Sequence, residues 1–165
     1  MPRRLVLVLL LVVAVAWLGF RAVQAFDQDR NAAQAAAVLA APDRRTYQLA
    51  PVADQAGGRF VYRPGTWLSV VDLGGLGPVA GNDRYLVFLR NWAGWTLAGA
   101  ARPGPDGTAQ VRSGAEPRSR TIYEVVVTRA VDDATSVPHG QPVLHWFDGS
   151  LGPPRAVPFD FARGT

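Results

Sequence analysis

The chain has 165 residues, 48% hydrophobic and 18% charged, with a formal net charge of +4 and no cysteine. The missing thiols exclude disulfides, thiolate nucleophiles and cysteine-ligated metals, so the fold must rest on its own apolar core. All 17 basic residues are arginine, but Arg3, Arg4 and Arg21 flank an apolar run, and from Pro42 onward 13 arginines face 11 acids. That balance is too even for a nucleic-acid partner, which asks for a clustered basic face.

The first 25 residues carry the strongest signal. Arg3 and Arg4 precede an uninterrupted apolar stretch from Leu5 to Phe20, followed by Arg21-Ala22-Val23-Gln24-Ala25. Two readings fit. As a secretory signal, the segment has a basic start, an apolar centre and Val23-Gln24-Ala25 as a small-x-small cleavage site before Phe26. As an anchor, its helix reaches about 24 Å at about 1.5 Å per residue, and Arg21 can extend its guanidinium toward the interface. The run is slightly longer than the apolar centre of a usual signal peptide, about 7 to 15 residues, and no helix breaker follows it, which favours an uncleaved single span. The two leading arginines place the N-terminus in the cytoplasm and the remainder on the extracytoplasmic side.

Residues 26–42 read as an Ala-rich helical stalk. Seven of the eleven residues from Asn31 to Ala41 are alanine, the best helix former, and Pro42 is where a helix must stop. Ala32, Ala36 and Ala40 recur every fourth residue, a smooth stripe on which another helix can pack closely.

Residues 43–165 change character. Nine short segments alternate with Pro, Gly, Asn and Asp: Thr46 to Ala50, Arg59 to Arg63, Thr66 to Asp72, Arg84 to Arg90, Trp95 to Ala101, Thr108 to Arg112, Arg120 to Val131, Pro142 to Phe147 and Arg155 to Phe161. This spacing predicts one mainly β domain, an antiparallel sandwich or barrel. Four Trp, five Phe and four Tyr within it offer material for a core. Pro64-Gly65 fits a type II turn, whereas Asp106-Gly107 and Asp148-Gly149 suit tight hairpins. Leu73 to Pro78 and Ala115 to Ser119 read as loops. In the segment from Thr121, Tyr123, Val125 and Val127 share one face, with Glu124 and Thr128 on the other, as in a half-buried strand. Tyr85 to Leu89 is apolar on both faces, which predicts a central, doubly covered strand.

Catalytic patterns are weak. His139, His145 and Asp148 are metal-ligand types, but their spacing aims them at no common point. Ser150 beside Asp148 and His145 lacks a nucleophile-elbow pattern, and Asp132 and Asp133 point to opposite strand faces. Gly74-Gly75-Leu76-Gly77 lacks the Lys-Ser/Thr of a phosphate loop. No catalytic, cofactor or metal residues are therefore assigned. The candidate contact residues are aromatic: Trp92 and Trp95 in Asn91-Trp92-Ala93-Gly94-Trp95, with Arg90 adjacent. A Trp at a loop tip offers a flat face to a partner chain, a sugar ring or a lipid headgroup. Arg112, Arg118 and Arg120 form a second, basic patch suited to anionic lipid or envelope polymer.

Leu49-Ala50-Pro51-Val52, followed by Asp54, resembles a segment of a family of membrane-anchored bacterial proteins named for a Gly-Asp-Tyr motif. The comparable place here reads Gly57-Gly58-Arg59-Phe60 instead. The resemblance implies an N-terminal anchor, a short stalk and a β-rich exported domain, and no activity. The combined expectation is a single-pass envelope protein with a non-enzymatic binding or scaffolding domain, one subunit of an assembly, its small-molecule ligand unassigned. The alternatives are a secreted glycan- or polymer-binding protein gripping its ligand with Trp92 and Trp95, and a metal-dependent hydrolase.

Overall fold

The computed structural model describes residues 32–52, 55–66, 68–114, 122–131 and 135–163. The predicted membrane segment and the first part of the predicted stalk lie outside these residues, as does the Ala115 to Ser119 loop. Among the described residues no helix is long and apolar enough to cross a membrane. The chain divides into two compact units, Met1–Ala36 and Ala37–Thr165. In the first, the described residues 32–36 are helical, with Ala32 and Ala36 exposed. In the second, residues 37–40 are helical with Ala40 exposed, and the helix stops at Ala41, one residue before Pro42. Val38 and Ala41 are buried, so this part of the predicted stalk is not solvated all round.

The second unit is mainly β, as its turn spacing predicts. Its strands are β1 (Arg45–Pro51), β2 (Gly57–Tyr62), β3 (Leu68–Gly74), β4 (Arg84–Asn91), β5 (Gly94–Ala101), β6 (Ala109–Gly114), β7 (Ile122–Ala130) and β8 (Gln141–Phe147). They form one antiparallel sheet of order β5-β4-β7-β8-β1-β2-β3-β6, curled into a nearly closed barrel. β1 joins the two halves: Arg45 to Leu49 pair with β2, while Ala50 and Pro51 pair with His145 and Leu144 of β8. The edge strands β5 and β6 draw together at the seam. A Cβ on Gly99 would stand 2.9 Å from Val111 Cγ1, so only glycine permits that approach.

Period-2 alternation fills the interior. Phe60, Val71, Leu73, Tyr85, Val87, Leu89, Val111, Val125, Val127 and Leu144 form the main core. At one place Tyr47 packs on Trp146 with ring centroids 4.2 Å apart, beside Phe60 and Tyr62. Burial pushes the Tyr62 hydroxyl up from its ordinary pKa, with nearby Tyr47 adding to the effect. The β2–β3 turn follows its chemistry: Gly65 takes φ 76, and Thr66 N donates to the Arg63 carbonyl at 3.2 Å.

Four expectations need correction. Arg155 to Phe161 is not a strand. Pro153, Pro154 and Pro158 have no N–H to give a ladder, and Arg155 adopts φ 70, so the segment runs as an irregular strap. Asp106-Gly107 is a turn but not a hairpin, because it joins β5 to β6 across the seam and those strands pair with β4 and β3. Asp148-Gly149 likewise turns the chain into the strap, with no partner strand following. Finally, a register shift between Arg90 and Asn91 of β4 pairs Arg90 with Glu124 and Asn91 with Ile122. This bulge takes Tyr123 out of the interior row and gives its place to Ile122.

Candidate functional site

The predicted contact residues sit around the β4–β5 hairpin. Asn91 Oδ1 accepts from Ala93 N at 2.7 Å, closing the local turn that places Trp92 at the tip. Trp92 is 65% exposed, and its indole Nε1 donates to the Leu151 carbonyl at 3.2 Å. One edge of the ring is therefore fixed while its face meets solvent. Arg90 and Trp95 are direct cross-strand partners, the guanidinium carbon lying 5.2 Å from the indole centroid. Trp95 faces the strap: its ring meets Phe159 edge-on at 5.4 Å. The structure thus unites Arg90 and Trp95 and leaves Trp92 separate at the tip.

Beneath the strap lies a polar cluster that the sequence reading did not assemble. Glu124, expected on the exposed face of its strand, is fully buried. Its Oε2 accepts from Arg90 Nη1 at 3.0 Å, and its Oε1 accepts from Phe159 N at 2.6 Å. His145 Nε2 lies 2.8 Å from the same Oε1. A carboxylate serving an arginine and a backbone N–H acts as acceptor, which makes Nε2 the protonated ring nitrogen. Burial of a carboxylate is tolerated where it is paired and both oxygens are hydrogen-bonded, as here. Arg90 Nη1 also reaches the Val157 carbonyl at 3.2 Å, so the Glu124–Arg90 pair holds the strap by one N–H and one C=O.

Apolar side chains complete the arrangement. Leu86 and Phe88 of β4 and Val126 of β7 pack with Phe159, while Trp95, Leu97, Ala130 and Phe161 surround them. Phe161 meets His145 edge-on at 5.8 Å, and the Phe159 and Phe161 rings are 5.1 Å apart. The double covering predicted for Tyr85 to Leu89 is therefore observed, with the strap in place of a second sheet. Two signals pointed here, the lone acid within a valine-rich strand and the Phe-x-Phe pair near the end of the sequence. Neither reveals its partner without the β4–β7–β8 register.

The remaining sequence candidates hold structural positions. Ser150 Oγ donates to Asp148 Oδ1 at 2.6 Å, a local turn bond. His139 Nδ1 lies 3.0 Å from Thr135 Oγ1 and from the Val137 carbonyl, and its ring stands edge-on to Phe88. Among the described residues no group of three or more His, Asp or Glu side chains converges as a metal site. Of the Arg112 patch, Arg112 Nε donates to Gln110 Oε1 at 2.7 Å, while Arg118 and Arg120 lie outside the described residues.

Fold and site together define a nearly closed antiparallel barrel whose outer face is strapped by its own chain. Comparison with protein-family models, with curated proteins and with solved structures gives no match.

Proposed function

We propose that this chain is a single-pass membrane-anchored envelope protein, N-terminus cytoplasmic, whose extracytoplasmic barrel-like domain is a non-enzymatic binding or scaffolding module within an assembly. Trp92 carries the proposal: a large, rigid aromatic held at a hairpin tip with 65% of its surface exposed. Fixed aromatics of this kind lose little entropy on binding and dominate the energetics of protein interfaces. The apolar run from Leu5 to Phe20, with Arg3 and Arg4 before it, supports the anchor.

The test joins localisation to binding. In the native host the intact chain should pellet with membranes, resist salt and yield to detergent. A protein co-purifying with it should weaken by roughly thirtyfold on Trp92→Ala, the effect of losing a hot-spot side chain. A soluble mature chain beginning at Phe26 that binds a glycan through Trp92 would establish the secreted alternative. Binding unchanged by Trp92→Ala would remove the basis of both.

A further inference from the structure

We propose that the outer face of β5-β4-β7-β8 is a recognition groove for a Phe-x-Phe segment, filled in this chain by its own strap, and that a segment of the same chemistry from another protein exchanges with it. The proposal does not rest on Trp92 or on the membrane anchor. Its basis is how the strap is held.

The strap is not a strand of the sheet. Its backbone is gripped by two side chains: Phe159 N donates to Glu124 at 2.6 Å, and the Val157 carbonyl accepts from Arg90 at 3.2 Å. One N–H and one C=O, two residues apart, are the groups any extended peptide presents, whatever its side chains. Specificity comes from the rings. Phe159 enters among Leu86, Phe88, Val126 and Trp95, and Phe161 stands against His145 and Phe159. Asp160 between them is exposed. The recognised pattern is thus aromatic, polar, aromatic, with the first aromatic anchored by its backbone.

Two further observations make the strap separable. All eight strands precede it in the chain, so its departure breaks no strand pairing. The main core contains no residue beyond Trp146, whereas Phe159 and Phe161 belong to a distinct outer cluster. The strand pairings and the interior cluster exclude the strap, and the groove side chains stand on paired strands. A preorganised site of this kind spends little binding energy on ordering itself. A tethered occupant competes at an effective concentration of about millimolar, so an outside segment gains access once the strap is weakened or outcompeted.

The experiment uses the purified full-length chain and a fluorescent peptide of residues 153–163. In the doubly substituted chain Phe159→Ala/Phe161→Ala, fluorescence anisotropy should show saturable peptide binding at least about tenfold tighter than to the unaltered chain, whose strap competes. A control peptide with both phenylalanines replaced by alanine should not bind. Circular dichroism establishes that the substituted chain is folded. A folded variant that binds no better than the unaltered chain overturns the proposal. If the substituted chain does not fold, the intact sequence with a protease site inserted in the 149–152 turn decides. After cleavage, exchange of the cut strap for labelled peptide supports the groove. A cut strap that never exchanges, or a barrel that unfolds on cleavage, makes the strap part of the core and overturns it.

Discussion

The barrel has two outer faces of opposite character, and the difference teaches what alternation in a strand does and does not specify. Across β1, β2, β3 and β6, Gln48, Arg59, Asp72 and Gln110 lie in one register row. Arg59 Nε donates to Asp72 at 2.8 Å and Gln110 Nε2 donates to Asp72 at 2.7 Å. Arg59 keeps about half of its side-chain surface in water (52%). Across β4 and β7 Arg90 and Glu124 lie in register, with His145 of β8 diagonal to them, and there Glu124 is fully enclosed. Similar residue types on the same kind of pleat are a solvated ladder in one place and a buried clamp in the other. The strap is the cause, since only the second face is covered.

Removing one carboxylate from each face separates the two regimes most widely. Glu124→Ala removes the carboxylate that Arg90, His145 and Phe159 N share and should lower unfolding free energy by about 3–5 kcal/mol, as breaking a buried pair does. Denaturant melts followed by tryptophan fluorescence measure it. Asp72→Ala, removing a half-buried acceptor whose arginine partner stays in water, should cost about 1 kcal/mol or less. Salt sharpens the contrast: 1 M NaCl should erase most of the Asp72 contribution and leave that of Glu124 nearly intact, because buried pairs are screened far less.

A change of opposite sign is expected four residues from Glu124. Thr128 is fully buried on the same face of β7, and its hydroxyl has no hydrogen-bond partner among the described residues. Thr128→Val keeps the shape and removes the orphaned group, so stability should rise by about 1 kcal/mol. A loss would mean that the hydroxyl has a partner.

The smallest effect lies in the interior, which belongs to neither face. Burial raises the Tyr62 pKa, so the unfolded chain releases this proton more readily than the folded one. Its contribution is present below the ordinary tyrosine value of about 10 and is lost as pH rises through the higher folded value. The chain has no lysine or cysteine, which leaves few other side chains to titrate in the same alkaline range. Tyr62→Phe should flatten the stability curve above pH of about 10, read by urea melts from neutral to alkaline pH.

Local chemistry made the fold legible. Turn residues and alternation located all eight strands to within about two residues, the usual fuzziness of strand ends, and the two apolar faces of Tyr85 to Leu89 announced a covered central strand. The failures share one origin. Whether Glu124 is solvated depends on a proline-rich segment more than 30 residues away folding over it. No periodicity encodes such a tertiary cover. Arg155 to Phe161 fits the spacing of the strands, but its two rings pack on Leu86, Phe88 and Val126, and Pro153, Pro154 and Pro158 rule out the ladder. At the site, Arg90 and Trp95 were recognisable because they flank one hairpin. Glu124 and His145 were not, because only the β7–β8 register, which sets Glu124 opposite Phe147, brings His145 onto the same carboxylate.

The divided allegiance of β1 carries a consequence for biosynthesis. Its first residues find β2 as soon as the next hairpin emerges from the ribosome, but Ala50 waits for His145, about 95 residues later. At about 5–20 residues per second this is a delay of roughly 5–20 seconds. Throughout it the strand that joins β5-β4-β7 to β1-β2-β3-β6 is missing, so the nascent domain is two separate sheets whose β7 and β1 edges lack their partner. The vulnerable species in the life of this protein is thus the half-synthesised chain, and a chaperone that guards it must act before β8 arrives.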